Sequence, residues 1–185
     1  PEPEKWDRSK VTVTWIGHAT VLINIYGTTI LTDPVLVKRL APPHLGGHIN
    51  MGIRRITQLP LKAGDLPKID LVLLSHAHYD HWALASLKYF GKETTVIIPK
   101  GTKDLLPDRP YKRVVELDWK EKTTVGKAAV ESFRVEHWGG RDFKDKTPRG
   151  FNGYIITSGK TRIIFFGDTV AGHGGEYIDW KERIG

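Results

Sequence analysis

The feature that most constrains this chain is an apolar run followed at once by a cluster of metal-ligating side chains. Residues 71–74 (LVLL) have the length and bulk of a buried strand. Four candidate ligands follow within six residues: His76, His78, Asp80 and His81. Imidazole and carboxylate together suit zinc, and also manganese or iron. The alternative is a polar loop with solvated histidines, but this density of ligands favours an irregular metal-binding loop.

Composition is typical of one globular domain, which we expect to span residues 1–185. The chain contains no cysteine, which excludes disulfides and thiolate zinc sites. No apolar run approaches the ~20 residues that cross a bilayer, and the polar start PEPEKWDRSK does not resemble a signal peptide. The sequence therefore predicts a cytoplasmic location. The net charge of +7 permits an anionic partner, but the basic residues are dispersed, which also fits a solvated lysine-rich surface.

Hydrophobic periodicity predicts a sheet-based α/β layered domain with helices on its outer faces. An antiparallel meander of three strands is expected first. A helix is predicted at 83–90, and a short helix capped by Thr102 is predicted at 102–106. A last helix is predicted at 176–183. The predicted strands cover residues 11–16, 21–26, 29–32, 71–74, 94–98, 113–117, 154–157 and 162–166, with a strand or hairpin at 124–136.

Residues 38–68 contain prolines and glycines that should break any regular element. Long irregular loops in compact domains are usually functional or mobile. The loop carries apolar side chains that could cover a pocket or contact an apolar ligand, or could equally pack on the surface. These side chains are Leu40, Leu45, Ile49, Met51 and Ile53.

Two further candidate ligands follow apolar strands later in the chain. His137 closes a strand-like run, and Asp168 lies in the segment FFGDT. Taken alone, each is more typical of a structural or turn residue. Because all three candidate groups lie just past the end of an apolar strand, they can converge at one edge of a sheet.

The pattern H-x-H-x-D-H at residues 76–81 resembles the metal-binding signature of the metallo-β-lactamase superfamily. Three more segments, TWIGHATVLINIYGTTILTDP, HWGGRDFKDKTPRGFNGY and FFGDT, are similar to one branch of it. That branch includes the N-acylphosphatidylethanolamine-hydrolysing phospholipase D and the L-ascorbate-6-phosphate lactonase. The resemblance runs from about residue 12 to about residue 185.

The resemblance implies an αββα sandwich that lacks its C-terminal part, and a binuclear site. By this resemblance His76, His78 and His137 hold one zinc ion, Asp80 and His81 hold a second, and Asp168 bridges them. Family members carry a last histidine ligand beyond the G-D-T segment. His173 is the only downstream histidine here, and its glycine-rich context favours an exposed, non-ligating role.

We therefore expect a metal-dependent hydrolase that uses a metal-bound hydroxide, oriented or deprotonated by Asp80, to cleave an ester, lactone or phosphodiester. The expected substrate is a small metabolite or a lipid-like ester or phosphate. One alternative is a nuclease of the same superfamily, against which the dispersed basic residues and the lack of a nucleic-acid module count. Another is an inactive metal-binding fragment. An uncovered apolar edge would predict a homo-oligomer or a complementing C-terminal segment.

Overall fold

Two β-sheets dominate the computed structural model, which describes residues 1–40, 52–141 and 144–169. One α-helix, α1 (Leu84–Leu87), and 3-10 turns at Pro3–Lys5, Ala63–Asp65 and Lys103–Leu105 are found in these ranges. The strands in the same ranges are β1 (Val11–Gly17), β2 (Thr20–Ile25), β3 (Thr28–Thr32), β4 (Arg39–Leu40), β5 (Ile53–Arg54), β6 (Leu71–Leu73), β7 (Thr95–Pro99), β8 (Arg113–Leu117), β9 (Lys122–Val125), β10 (Ala128–Phe133), β11 (Gly153–Ser158) and β12 (Thr161–Phe165).

The larger sheet has six strands in the order β1-β2-β3-β6-β7-β8. β1, β2 and β3 form the predicted antiparallel meander, whereas β3, β6, β7 and β8 run parallel. The smaller sheet is antiparallel, in the order β12-β11-β10-β9. The expected sheet-rich α/β architecture is therefore confirmed.

Both faces of β6 are buried, which explains why its sequence is continuously apolar rather than alternating. Leu71 and Leu73 belong to the core cluster between the two sheets, where side chains such as Val130 and Tyr154 from the smaller sheet join them. The intervening Val72 faces a second core on the other side of the large sheet. That core is completed by residues that include Leu74, Trp82, Leu87, Phe90, Val96 and Ile98.

The parallel pairing of β3 with β6 places their carboxyl ends at one edge, with Thr32 opposite Leu73. The residues that follow, Asp33 and Ser75, consequently meet there. In the smaller sheet, β10 and β12 both run antiparallel to β11, so they also end at a common edge. The segments that carry His137 and Asp168 leave from these two ends, as expected for ligands that converge.

Several local predictions were wrong or fall outside the described residues. The helix predicted at 83–90 is an α-helix only over Leu84–Leu87, because Tyr89 and Phe90 donate to carbonyls three residues back. Thr102 does not cap the following turn; its hydroxyl donates to the Pro99 carbonyl at 2.5 Å. Residues 38–68 are not wholly irregular, since β4 pairs with β5. The helix predicted at 176–183 lies outside the described residues, as do His173, Leu45, Ile49 and Met51.

Candidate metal centre

Three imidazoles converge on one point just beyond β6 and β10. His76 Nε2 lies 2.9 Å from His78 Nδ1 and 3.1 Å from His137 Nε2, and the last two atoms are 3.2 Å apart. Zinc–nitrogen bonds of about 2.0–2.1 Å at tetrahedral angles place ligand nitrogens about 3.3 Å apart. The spacing of the three nitrogens therefore fits coordination to a single cation.

A second group of ligand atoms lies beside the first. His81 Nε2 is 3.2 Å from Asp168 Oδ1 and 3.8 Å from Asp80 Oδ2. Its imidazole ring centre is 4.2 Å from that of His76, so the two groups are contiguous. His18, at the turn between β1 and β2, also enters this group, with Nε2 3.0 Å from Asp80 Oδ2 and 3.2 Å from His81 Nε2.

A buried carboxylate orients two of these imidazoles. Asp33 is fully buried and accepts the Ser75 backbone N–H at 2.7 Å and the Ser75 hydroxyl at 2.6 Å. Since Ser75 donates its only proton to Asp33, its oxygen accepts from His76 Nδ1 at 2.9 Å. Asp33 also accepts from His81 Nδ1 at 2.6 Å. Both rings consequently direct Nε2 into the cluster, which is the arrangement that metal-ligating histidines require.

Burial and neighbouring charges separate the pKa values of the histidines. Burial lowers the pKa of His76 to about 2 and that of His78 to about 4, and it also lowers the pKa of His137. These imidazoles are therefore neutral at pH 7 and can act as ligands. Burial alone would lower the pKa of His81, but the Asp33 and Asp168 carboxylates outweigh it and raise the pKa to about 10.

The contact between His81 Nε2 and Asp168 lies where a cation would bind. His81 Nε2 faces Asp168, and this hydrogen bond is the main reason that the Asp168 pKa lies well below its usual range. A metal ion that bound there would displace this proton, as metal binding to imidazole generally does. Three neutral imidazole nitrogens beside two carboxylates and two further imidazoles fit one or two divalent cations of the zinc, manganese or iron type.

Arg141 connects the two loops that carry the first ligand group. Its Nη1 donates to the carbonyls of Ala77 at 2.6 Å and Trp82 at 2.9 Å, which lie at either end of the 76–82 loop. The guanidinium also lies over the Tyr79 ring, with Cζ 4.1 Å from the ring centre. Because Arg141 follows His137 by four residues, it fixes that loop against the loop of His76 and His78.

A cavity of about 900 Å³ opens beside the two groups. His78, Asp80 and His18 lie on its wall next to the metal centre. Most of the remaining wall is apolar or basic, formed by residues that include Trp15, Val35, Leu40, Ile53, Arg54, Arg55, Ile56, Tyr79, Trp138 and Arg141. The β4–β5 ribbon contributes Leu40, Ile53 and Arg54, which favours a functional role for the loop in which it lies.

The structure brings together the six residues that the sequence singled out: His76, His78 and His137 form one group, Asp80 and His81 lie in the second, and Asp168 contacts His81. The sequence did not indicate the roles of His18, of the Asp33–Ser75 pair, or of the hydrogen bonds from Arg141 to the 76–82 loop. His18 and Asp33 lie in the G-H-A-T and T-D-P segments, which marked a family branch but carried no stated role. Arg141 had no signal beyond its proximity to His137. In the described ranges no helix is long and apolar enough to cross a membrane.

Comparisons with known proteins show which family this chain resembles. Residues 28–183 match the family model described as a beta-lactamase superfamily domain. The mitochondrial N-acyl-phosphatidylethanolamine-hydrolyzing phospholipase D of Saccharomyces cerevisiae is 30% identical over 190 residues, which cover 100% of this chain and 39% of the yeast protein. A UPF0173 metal-dependent hydrolase of Haloquadratum walsbyi is 29% identical over 178 residues, or 94% of this chain and 67% of that protein.

A solved structure gives the same result for the fold. CmlA, a diiron β-hydroxylase from Streptomyces venezuelae, superposes with a TM-score of 0.66 at 26% identity, covering 96% of this chain and 33% of CmlA. The chain thus spans about two fifths of the yeast relative and a third of CmlA. Since the family model covers well over half of the sequence, this chain belongs to the beta-lactamase superfamily.

Proposed function

We propose that this chain carries the metal centre of a metal-dependent hydrolase that cleaves a phosphodiester in an anionic, lipid-like substrate. His76, His78 and His137 would hold the first ion, Asp80 and His81 would hold the second, and Asp168 would be a ligand shared by both. Zinc is the expected metal, and manganese and iron suit the same ligands. The names of the relatives support hydrolysis and, for the yeast protein, a phospholipid substrate.

The observation that carries the proposal is the combination of apolar walls and arginines in the cavity beside the metal centre. Trp15, Ile53 and Ile56 lie on its wall. Trp15 is 59% exposed, Ile53 is 79% exposed and Ile56 is fully exposed. Exposed apolar side chains clustered at a cavity mark a ligand or interaction surface. Hydrocarbon chains are a ligand that such a wall would bind.

Arg55 supplies a site for the anionic part of the substrate. Its guanidinium donates to the Val35 carbonyl at 2.8 Å and to the Ile16 carbonyl at 3.4 Å, and contacts no carboxylate in the described part of the chain. Burial lowers the pKa of Arg55, and its Nε has no hydrogen-bond partner in the described ranges. Because Nε is buried, a phosphate in the cavity would bind the second N–H of each Nη atom, since guanidinium groups bind phosphate with directed hydrogen bonds.

The chain's own residues have distinct parts in the reaction. A divalent cation, when bound, would make water nucleophilic near neutral pH and stabilise charge on the phosphate oxygens. Asp80 is 44% exposed and lies on the cavity wall, so its carboxylate would orient the attacking water or accept its proton. Asp33, directly for His81 and through Ser75 for His76, holds both rings with Nε2 directed into the cluster. The apolar wall excludes bulk water and positions the substrate chain.

The metal assignment is tested by elemental analysis after chelation and reconstitution. We expect at least one zinc ion per chain, and loss of that ion in the His76→Ala, His78→Ala double variant. Unchanged metal content in the double variant would contradict the assignment. The Asp70→Asn variant is the control, because Asp70 accepts the Thr29 N–H at 2.9 Å on the same sheet but lies in neither ligand group.

The substrate class is tested by comparing two phosphodiesters in the metal-loaded protein. Bis(p-nitrophenyl) phosphate probes the metal centre alone, and N-acylphosphatidylethanolamine in mixed micelles probes the cavity as well. We expect the lipid to have the higher kcat/KM, and Arg55→Met to lower kcat/KM for the lipid by at least about tenfold, since a charge-assisted hydrogen bond contributes about 1.5–3 kcal/mol. Arg109→Met, at an exposed arginine outside the cavity, is the matched control.

Three outcomes would count against the proposal in different ways. Equal kcat/KM values for the two phosphodiesters would reject the lipid-like substrate. Metal binding without turnover of either would favour the inactive metal-binding alternative. Salt-sensitive RNA binding with RNA cleavage would favour the nuclease alternative instead.

A further inference from the structure

His18 is separated from the metal-ligand loop by 62 residues in sequence, yet it completes the second ligand group. It lies in the turn between β1 and β2, whereas Asp80 and His81 follow β6. β1 is at the outer edge of the six-stranded sheet, three places from β6. An imidazole from this turn reaches the metal centre without belonging to the 76–81 motif.

The geometry of His18 is that of a ligand. Its Nε2 lies 3.0 Å from Asp80 Oδ2 and 3.2 Å from His81 Nε2, and these two atoms are 3.8 Å apart. The expected separation of atoms that share a tetrahedral zinc ion is about 3.3 Å. The triangle therefore resembles that of His76, His78 and His137, whose sides are 2.9, 3.1 and 3.2 Å.

The turn that carries His18 has positive φ angles, which are unfavourable for most residues. His18 has φ 53°, in the left-handed region that non-glycine residues seldom adopt. Gly17 before it has φ 129°, and the β1–β2 register shifts between Trp15 and Gly17. The Trp15 indole N–H donates to the His18 carbonyl at 2.8 Å and holds the turn in this shape. Backbone strain of this kind concentrates at functional sites.

We propose that His18 is a protein ligand of the second metal ion, together with Asp80, His81 and the bridging Asp168. This inference rests on the proposed function, because it requires that the first group binds metal as well. His18 supplies a ligand that the 76–81 motif does not contain, and its side chain is 46% exposed toward the cavity. A second ion held by His18 and Asp80 would lie next to the cavity wall, where the substrate phosphate would bind.

The test is titration of the metal-free 185-residue chain with Co²⁺, followed by its visible absorption and by elemental analysis. We expect two ions per chain in the unsubstituted protein. His18→Asn tolerates the left-handed backbone but is too short to reach the ion. Loss of an outer-sphere partner already costs about 10–100-fold in metal affinity, so His18→Asn should weaken the second ion by at least about tenfold and leave the first unchanged.

A second variant separates ligation from a role in folding. His18→Gly also permits a positive φ and leaves room for a free imidazole. Added imidazole should restore the second Co²⁺ ion and its absorption spectrum in His18→Gly but not in His81→Gly, whose ring is buried. Restoration is expected only if the imidazole of His18 binds the ion.

The outcomes distinguish this inference from the proposed function. Two ions bound with unchanged affinity and spectrum in both His18 variants would overturn the ligand role. A single ion in the unsubstituted protein and in both variants would overturn it as well, while leaving the first site intact. If neither the unsubstituted protein nor either His18 variant binds any ion, the proposed function itself is rejected.

Discussion

At the residue scale, the buried carboxylate of Asp33 orients two candidate metal ligands, His76 and His81. It accepts from the Ser75 backbone, the Ser75 hydroxyl and His81 Nδ1, so its accepting capacity is well used despite complete burial. A buried carboxylate without such partners would be strongly unfavourable. The same contacts fix the orientation of His76 through Ser75. Asp33 therefore stabilises the ligand groups before any metal binds.

Asp168 provides the sharpest test of the two-metal arrangement. Asp168→Asn keeps the shape and one oxygen but removes the charge that offsets repulsion between two cations. In a catalytically competent form, we expect a lower hydrolysis rate and weaker binding of the second ion together. Elemental analysis and turnover of bis(p-nitrophenyl) phosphate measure the two effects.

The control for Asp168 is the exposed Asp108. Asp145 would be an unsuitable control because its side chain is only 10% exposed and pairs with Arg149. If Asp168→Asn loses activity but still binds both ions tightly, Asp168 has a role in proton transfer instead. Full activity in Asp168→Asn would mean that Asp168 is only a turn residue and that the bridging role is wrong.

The sequence singled out the candidate ligands that the structure brings together, but not the side chains that support them. Four of the candidate ligands lie in one short motif, where their spacing draws attention to them. The contacts of Asp33 with Ser75 and His81 join residues 42 and 48 positions apart, and those of His18 span 62 and 63. Such contacts depend on which strands become neighbours, and local periodicity does not determine that order.

At the element scale, strands were predicted more accurately than helices. Apolar runs bounded by proline or glycine defined β3, β7 and the β11–β12 hairpin, because burial in a sheet depends on local side-chain pattern. The helix predicted at 83–90 is reduced to four α-helical residues, since short helices are marginal and depend on tertiary packing. The pairing of β4 with β5 had no periodic signal.

Arg141 joins its own loop to the 76–82 loop, so its replacement should weaken metal binding more than global stability. Arg141→Met keeps much of the stem packing but loses the bonds to the Ala77 and Trp82 carbonyls. We expect affinity for the first ion to fall about 10–100-fold, as for other outer-sphere partners. Isothermal titration with zinc measures this effect.

Two controls accompany the Arg141 measurement. Arg109→Met, at an exposed arginine, should bind zinc normally. Thermal unfolding of metal-free Arg141→Met should stay close to that of the unsubstituted protein. If zinc affinity is unchanged in Arg141→Met, the two loops are held in register by other contacts.

At the scale of the whole molecule, the two sheets share one apolar core, and metal ligands lie at the strand ends that border it. The sequence predicted this layered organisation from alternating and continuous apolar patterns. It did not predict that the Arg149 side chain would be buried and would bind three other residues of the chain. Arg149, whose side chain is 5% exposed, donates to the Gly101 carbonyl at 2.9 Å and pairs with Asp104 and Asp145.

These pairs predict a loss of stability in acid. Bonds from Arg149, Arg141 and Thr147 outweigh burial and hold the pKa of Asp145 well below its usual range. A carboxyl group whose pKa is lowered by folding stabilises the fold above its unfolded pKa of about 4 and loses that contribution as the pH falls further. Asp145→Asn should therefore be less stable at pH 7 by about 1–3 kcal/mol.

The measurement is urea unfolding of the metal-free chain at several pH values. The difference between Asp145→Asn and the unsubstituted protein should shrink as the pH falls below about 4, because Asp145 of the unfolded chain then binds a proton that folding must release. Asp108→Asn should show no such dependence. A stability difference that is constant from pH 7 to pH 3 would show that the charge of Asp145 is not what stabilises the segment.

The last prediction concerns association of the 185-residue chain. In the described residues, β12 lies at the edge of the smaller sheet and pairs only with β11. Ile163, Ile164 and Phe165 on this strand are only partly buried, and an apolar edge strand is a template for pairing with another chain. We expect concentration-dependent self-association in sedimentation velocity. Ile164→Lys, which places a charge on the edge, should shift the equilibrium toward monomer while thermal unfolding remains cooperative. A stable monomer of the unsubstituted chain across the micromolar range would show that this edge does not pair between molecules.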